Sequence, residues 1–166
     1  GPGDVYKRQG ILSADEVLNL FSKKFLIAKS TYSDKSLREV KVFPSRRSYQ
    51  DKVYWGGAAI IFVADVKLRI ARDNLYSMDK LLIDFKECCA HRKTVWSGKE
   101  IFDEFDRLSQ TRIFSTLYRD FVELANFADV GSAFYSLGYE TNKFAKKIQH
   151  ETIYPSVRDA IFKGSK

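Results

Sequence analysis

The stretch Val53-Tyr-Trp-Gly-Gly-Ala-Ala-Ile-Ile-Phe-Val-Ala64 decides the fold of this chain. Apart from two glycines its side chains are all apolar or aromatic, and the next segment, Asp65-Val-Lys-Leu-Arg-Ile-Ala-Arg72, is half polar. A helix that is apolar on every side lies inside a bundle, and one that becomes amphipathic emerges from it. A buried strand would explain Ile60–Val63 alone, but the run to Ala71 is too long for a strand. The pattern therefore predicts a buried central helix over residues 53–72.

The composition is that of a folded globular domain. The chain has 166 residues, 45% hydrophobic and 30% charged, and it contains 13 Phe, 9 Tyr and 2 Trp. Burying that aromatic area offsets the chain entropy, so we expect a core rather than disorder. The apolar run ends before Asp65, well short of the ~20 residues that a membrane-spanning helix needs. The two cysteines, Cys88 and Cys89, are adjacent and cannot staple a small secreted scaffold, which favours a reducing compartment.

Capping signals predict further helices on both sides of the central one. Ser13-Ala-Asp-Glu16 and Ser97-Gly-Lys-Glu100 have the form of a capping box, and Ser77 precedes another amphipathic stretch. The predicted helices span 14–27, 77–90, 97–108 and 113–125, with one turn over 132–137 ended by Gly138 and a short helix over 156–162 that has Pro155 at its start and Gly164 past its end. Leu26, Leu82 and Leu124 are predicted on the inner faces of their helices. The connection between helices 77–90 and 97–108 is short, which predicts that these two pack as antiparallel neighbours. Residues 28–52 are polar and mixed, which indicates an irregular connection. We therefore predict an all-α fold, a compact bundle of five or six helices around the buried helix 53–72.

The domain organisation follows from the same pattern. Residues 1–10 begin Gly1-Pro2-Gly3 without an initiator Met, and we expect them to be a tag scar or a cut edge. Residues 11–139 contain the predicted bundle. Residues 140–166 are less periodic, and we expect a C-terminal extension with one short helix.

The charge is positive but dispersed. There are 28 Lys and Arg against 21 Asp and Glu, which gives a formal charge of +7. Basic groups alternate with acidic ones along almost the whole sequence, so the favoured interpretation is a solvated surface. A basic nucleic-acid-binding module would need these groups gathered on one face, so nucleic acid is not a favoured partner. We expect no membrane contact.

No complete catalytic centre is visible in the sequence. The only histidines, His91 and His150, do not have the i, i+4 spacing of a zinc helix, and Cys88-Cys89 lacks ligand spacing, so we predict no metal site. Gly98-Lys99 is followed by Glu100, which excludes a Walker loop. The acidic residues Asp103, Glu104 and Asp106 are predicted on the outer face of a helix, as solvated charge.

One candidate group remains, Tyr54-Trp55-Gly56-Gly57 at the predicted start of the central helix. A Tyr hydroxyl at a helix N-terminus, beside glycines that let another backbone approach, can donate a hydrogen bond to a developing oxyanion. The alternative is a Tyr wedged at a helix start, with the glycines serving close helix packing. The residues alone leave both interpretations open.

The order of several segments resembles the helical C-terminal part of gluzincin metallopeptidases, and most closely the glycyl aminopeptidase family that contains a PDZ domain. In that family a Tyr-x-Lys-Gly motif opens a long apolar helix that ends in an acidic-then-basic stretch, and Tyr54–Gly57 followed by Asp65–Arg69 is similar to it. The likeness covers about residues 11–139. Its other segments are Lys35–Val40, Ser77–Leu82, Ser97–Glu100, Leu117–Val122 and Ser136–Tyr139.

The resemblance implies a role for Tyr54. Tyr54 matches the tyrosine that, in the family, stabilises the tetrahedral intermediate after zinc-bound water attacks a peptide carbonyl. The same resemblance places Gly56 and Gly57 near the substrate. Gly56 stands where the family has Lys, and Val53 where it often has Tyr. The zinc-binding helix lies N-terminal in the family and is absent from this sequence, and the residues after Tyr139 are too few for the PDZ domain.

We therefore expect a non-catalytic helical domain that forms one wall of a substrate cleft in a complete aminopeptidase. The chain itself would hold no cofactor; zinc, the zinc-binding domain and the peptide substrate belong to the presumed parent enzyme. An exposed apolar patch around Tyr54 and Gly57 is predicted, since the zinc-binding domain would cover it. The alternative is a stand-alone helical interaction module, with Trp55, Trp96 or Tyr118 as anchors.

Overall fold

The computed structural model describes residues 13–30, 36, 38–39, 47–124, 126–141, 147–149 and 151–163. It is 73% helical, which confirms the all-α bundle. The seven helices in these ranges are α1 (Ala14–Ser30), α2 (Arg47–Ala71), α3 (Met78–Cys88), α4 (Gly98–Ser109), α5 (Ile113–Leu117), α6 (Val130–Ser136) and α7 (Pro155–Lys163). A 3-10 turn (Ala90–Arg92), a π-helical segment (Tyr118–Glu123) and two strands, β1 (Tyr139–Thr141) and β2 (Lys147–Gln149), complete the described structure.

Helix α2 is the central element that the apolar run predicts. It contacts α1, α3, α5, α6 and α7. Its inward residues, Ala59, Val63, Ala64, Val66 and Leu68, are buried. The helix ends at Ala71, one residue before the predicted end at residue 72, but the predicted start at residue 53 is wrong, because the helix begins at Arg47. No Pro or Gly lies between Arg47 and Tyr54 to stop a helix from extending toward its N-terminus.

The capping predictions are confirmed at three helix starts. The Ser13 N–H donates to Glu16 Oε2 over 2.7 Å, and the Glu16 N–H donates to Ser13 Oγ over 3.3 Å. Ser97 and Glu100 form the same reciprocal pair at α4, and Ser77 Oγ accepts from the Lys80 N–H at α3. These serines satisfy N–H groups that have no partner inside the helix.

The core between α1, α2 and α6 is aromatic. Phe25, on α1, is 2% exposed, and its ring centroid lies 5.8 Å from Phe21, 6.4 Å from Trp55, 5.8 Å from Phe62 and 6.3 Å from Phe134. Phe62 and Phe134 are themselves 4.8 Å apart. Since residues late in α1 contact residues early in α2, the two helices run antiparallel.

Three leucines predicted on inner helix faces are exposed, and the first of them, Leu26 on α1, is 45% exposed. Leu82 is 49% exposed, because the buried stripe of α3 passes through Met78 and Leu81 instead. The helix predicted over 113–125 changes to π-helical backbone at Tyr118. A π-helical turn holds more residues than an α-helical one, so the 3.6-residue period fails there and Leu124 is 48% exposed.

The segment after Gly138 packs onto the bundle. Gly138 has φ 86° and ends α6, as predicted, because glycine tolerates positive φ. The antiparallel hairpin pairs Tyr139 with Gln149, and these strands were not predicted. Helix α7 begins at the predicted Pro155, and its Phe162 ring lies 5.4 Å from Tyr139. Gly164, predicted just past the helix end, lies outside the described residues.

None of the helices described is both long enough and apolar enough to cross a membrane.

Candidate functional site

Tyr54 is an exposed tyrosine on the N-terminal half of α2. It is 51% exposed, and its ring packs edge-on against Trp55 at a centroid distance of 5.0 Å. Within the described ranges, no hydrogen bond to its hydroxyl is present. The phenol is therefore available to an external acceptor.

Exposed apolar residues lie beside Tyr54 on α2. Val53, Gly57 and Ile61 follow one another at four-residue intervals, so they lie along one side of α2. Val53 is 38% and Ile61 44% exposed, and a Cβ added at Gly57 would meet no atom within 4 Å. We call Val53, Tyr54, Gly57 and Ile61 the α2 apolar face. The exposed patch expected around Tyr54 and Gly57 is thus present.

The structure corrects two details of the sequence-based site. Tyr54 lies seven residues after Arg47, about 10 Å along the axis at 1.5 Å per residue, so it does not lie at the positive end of the helix. A contribution of the helix dipole to its hydroxyl is therefore excluded. Gly56 is buried and does not lie on the α2 apolar face, whereas Gly57 does.

The three aromatic residues considered as anchors for a partner protein are packed within the chain. Trp55 lies against Phe25, with the Lys24 Nζ 5.4 Å from the Trp55 ring. Trp96 packs on Phe85 at 5.2 Å and donates from Nε1 to a backbone carbonyl.

Tyr118 packs on Phe102 at 5.4 Å and accepts from Arg38 Nη2 over 3.1 Å. These three rings are therefore partly covered by the chain itself, whereas Val53, Tyr54 and Ile61 on the α2 apolar face are exposed.

A second group of polar side chains joins α3 to α4. The Sγ atoms of Cys88 and Cys89 are bonded to each other, and Glu104 Oε1 lies 2.9 Å from the Cys89 Sγ. Arg107 Nη2 lies 3.5 Å from the Cys89 Sγ and 3.9 Å from the Cys88 Sγ. Arg92 Nη1 lies 3.4 Å from the same Glu104 oxygen. We call these five residues the α3–α4 sulfur cluster.

Glu104 in this cluster is not the solvated charge that the sequence predicts. Its side chain is only 15% exposed, and Arg107 donates to it through both Nε and Nη2. Hydrogen bonding from Arg107 lowers the pKa of Glu104, and the charge of Arg92 lowers it further.

Among the described residues, Cys88, Cys89 and Glu104 are the one group of three side chains whose donor atoms lie close enough together to hold a metal ion, and the two sulfurs could serve as ligands only as thiolates, after the bond between them is reduced. The sequence signal that could have revealed this group is the predicted antiparallel packing of helices 77–90 and 97–108, because it brings the end of the first helix beside the second.

The neighbouring acidic residues differ from one another. Asp103 is a surface residue, as predicted, and pairs with Lys99 over 2.6 Å. Asp106 is a capping residue instead, because its carboxylate accepts from the backbone N–H groups of Phe114 and Ser115 over 2.8 and 2.9 Å. It thereby satisfies the first turn of α5.

The described basic residues are mostly paired with nearby acids. Such pairs include Arg69 with Asp65, Lys80 with Asp84, Lys93 with Glu100 and Arg158 with Asp159. This interspersion does not favour one positive face of the kind that nucleic acids bind. His91 is exposed on the 3-10 turn, and His150 lies outside the described residues.

Comparison with protein-family models, with curated proteins and with solved structures gives no match.

Proposed function

We propose that this domain is the C-terminal helical part of a gluzincin-type zinc aminopeptidase, where it forms one wall of the substrate cleft and supplies Tyr54. The observation that supports the proposal is the α2 apolar face, because a Tyr hydroxyl without a partner among the described residues lies within it. An exposed apolar surface on a folded domain is typical of a binding or interdomain surface.

The proposed role of Tyr54 follows from its chemistry. A neutral phenol donates one hydrogen bond, and an acceptor that gains negative charge during peptide hydrolysis strengthens that bond in the transition state. The apolar neighbours Val53 and Ile61 exclude water when the face is covered, which strengthens the interaction further. Gly57 leaves room for a substrate backbone beside the phenol.

The described residues do not fit the zinc that such an enzyme uses. The family binds zinc through two His and a Glu, whereas the only metal-compatible group described here is Cys88, Cys89 and Glu104. We therefore derive no zinc-dependent step from this chain. Zinc and its ligands would belong to another part of the proposed enzyme, and this domain alone is expected to hydrolyse nothing.

The test begins with the reading frame that contains this sequence. We expect an upstream His-Glu-x-x-His motif followed by a Glu. In the enzyme expressed from that frame, Tyr54→Phe should lower kcat for an aminoacyl anilide about 10²–10³-fold with little change in KM, because it removes only the transition-state hydrogen bond. Tyr135→Phe, which removes another exposed tyrosine hydroxyl, is the control and should remain within about twofold.

Two results would overturn the proposal. One is a reading frame with no zinc motif, and the other is a Tyr54→Phe enzyme with wild-type kcat. In the first case the α2 apolar face would favour the alternative, a stand-alone module that docks a partner protein. Ile61→Lys would then abolish partner capture without unfolding the domain, since Ile61 is 44% exposed.

A further inference from the structure

We propose that the Cys88–Cys89 pair is a thiol–disulfide exchange site, which an external dithiol reduces at Cys88 and which Arg107 and Glu104 stabilise in its reduced form. The inference is independent of the proposed peptidase function. It depends on the α3–α4 sulfur cluster alone.

The bond between the two sulfurs has no structural role as a crosslink. A disulfide stabilises a fold mainly by closing a loop in the unfolded chain, and longer loops give more stabilisation. Cys88 and Cys89 are adjacent, so their bond closes no loop of intervening residues. Forming or breaking this bond therefore changes the entropy of the unfolded chain very little. That is typical of a disulfide that takes part in exchange and not of one that stabilises a fold.

The two sulfurs differ in access. Cys89 is 0% exposed, whereas Cys88, the last residue of α3, is half-buried. A reductant from solution therefore reaches the Cys88 sulfur, and Cys89 is the leaving group.

Arg107 is placed to stabilise that leaving group. Its Nη2 lies 3.5 Å from the Cys89 Sγ and 3.9 Å from the Cys88 Sγ. A guanidinium close to sulfur favours the thiolate over the thiol and so speeds both its departure and its later attack. The guanidinium contacts both sulfurs, so it acts in either direction of the exchange.

Glu104 provides a contact that only the reduced form can use as a hydrogen bond. Its Oε1 lies 2.9 Å from the Cys89 Sγ. A disulfide sulfur has no proton to donate, whereas a thiol donates to a carboxylate. Because Arg107 and Arg92 both contact this carboxylate, Glu104 remains charged and in place to accept a hydrogen bond from the Cys89 thiol once the departing thiolate has been protonated.

The exchange balances as two thiol–disulfide steps. A thiolate of the external dithiol attacks the Cys88 Sγ, the bond between the cysteines breaks, and its electron pair leaves on the Cys89 Sγ. The second thiolate of the donor then attacks the donor sulfur in the mixed disulfide and releases Cys88. The donor is oxidised by two electrons to a cyclic disulfide, and its two protons end on Cys88 and Cys89.

The experiment uses the purified chain and dithiothreitol. The protein is equilibrated over a range of ratios of reduced to oxidised dithiothreitol, quenched with acid, unfolded and labelled with a maleimide. Since the chain has only 2 Cys, mass spectrometry counts zero or two labels without ambiguity. We expect a reversible transition from no label to two as the ratio rises.

Two arginine variants test the assigned roles. Arg107→Met should slow reduction by excess dithiothreitol about five- to tenfold, because one unit charge close to the leaving sulfur is lost. Arg92→Met is the matched control and should stay within about twofold, because Arg92 contacts Glu104 but neither sulfur. Both side chains are more than half exposed, so neither change removes core packing.

Two outcomes would overturn the proposal. Two labels at every ratio, including in oxidised dithiothreitol alone, would mean that the pair does not form the disulfide. Equal reduction rates for Arg107→Met and Arg92→Met would remove the role of Arg107. A single-cysteine comparison is decisive for the order of attack: Cys89→Ser should react with maleimide at least tenfold faster in the folded state than Cys88→Ser.

Discussion

The carboxylate of Asp65 accepts a hydrogen bond from the backbone N–H of Met78 over 2.9 Å, and so it joins the central helix α2 to the first turn of α3. The other carboxylate oxygen of Asp65 accepts from Arg69 Nε over 3.0 Å. Arg69 is 8% exposed at its side chain and also donates to Asn74 Oδ1. The Asp65 side chain thus joins α2 to α3 and also compensates the buried charge of Arg69.

Asp65→Ala is therefore expected to lower the free energy of unfolding by about 3 kcal/mol, because it leaves the Arg69 guanidinium with one acceptor fewer in a buried site. Urea denaturation monitored by circular dichroism measures the loss. Asp103→Ala removes an exposed partner of Lys99 and should cost about 0.5 kcal/mol or less. Equal losses in the two variants would contradict the role assigned to Asp65.

Phe25→Ala and Leu26→Ala compare two adjacent positions of α1 that differ in burial. Phe25 is 2% exposed within the aromatic core, whereas Leu26 is 45% exposed. We expect Phe25→Ala to cost about 3–5 kcal/mol, since it opens a cavity among four rings, and Leu26→Ala less than about 1 kcal/mol. Chemical denaturation of both proteins tests this, and a costly Leu26→Ala would mean that α1 is rotated.

Asp106→Ala removes the cap of α5. The variant loses acceptors for the Phe114 and Ser115 N–H groups and should be destabilised by about 1–2 kcal/mol. Hydrogen exchange should show faster exchange at Phe114 and Ser115 than in the wild-type protein. Unchanged exchange at these two amides would rule out the capping role.

The raised pKa of Tyr76 leads us to expect a loss of stability at alkaline pH. Burial, followed by the hydrogen bond that its hydroxyl donates to Asp84, raises the pKa of Tyr76 to about 12. A tyrosine in the unfolded chain has a pKa of about 10, so the fold favours the neutral phenol. The stabilisation is fully present below about pH 10 and is lost as the pH rises through about 12.

Tyr76→Phe should accordingly be less stable than wild type at pH 8, and the difference should shrink between about pH 10 and 12. Urea denaturation at several pH values measures both effects. Tyr135→Phe, which leaves the Tyr76–Asp84 pair intact, is the control. A difference from wild type that stays constant over this pH range would contradict the raised pKa.

Local signals predicted much of the fold. The capping boxes at Ser13 and Ser97 gave the starts of α1 and α4, because a hydroxyl and a Glu three residues later satisfy each other's backbone groups wherever they occur. The start of α2 was not obtained this way, because the apolar run that marks this helix begins only at Val53, whereas the polar residues from Arg47 onward belong to the same helix. The π-helical segment after Leu117 also has no sequence signature at the 3.6-residue period.

The candidate site, like the fold, could be predicted only in part from the sequence. The sequence identified Tyr54 and Gly57 and the apolar character of their surroundings, but not that Gly56 is buried one residue away. A uniformly apolar helix has no internal marker of which side is covered, so only the packing of its neighbours decides the exposed face.

The sequence by itself determined the helical class, the central position of α2 and the caps, because these depend on residues within a few positions of one another. Only the tertiary structure decided that Tyr54 is exposed and that Glu104 and Arg107 meet the sulfurs of Cys88 and Cys89. That encounter joins residues 15 to 19 positions apart on two helices. The crossing of α3 and α4 brings them together, and that crossing depends on the packing of Phe85 against the buried Phe105 and not on any local motif.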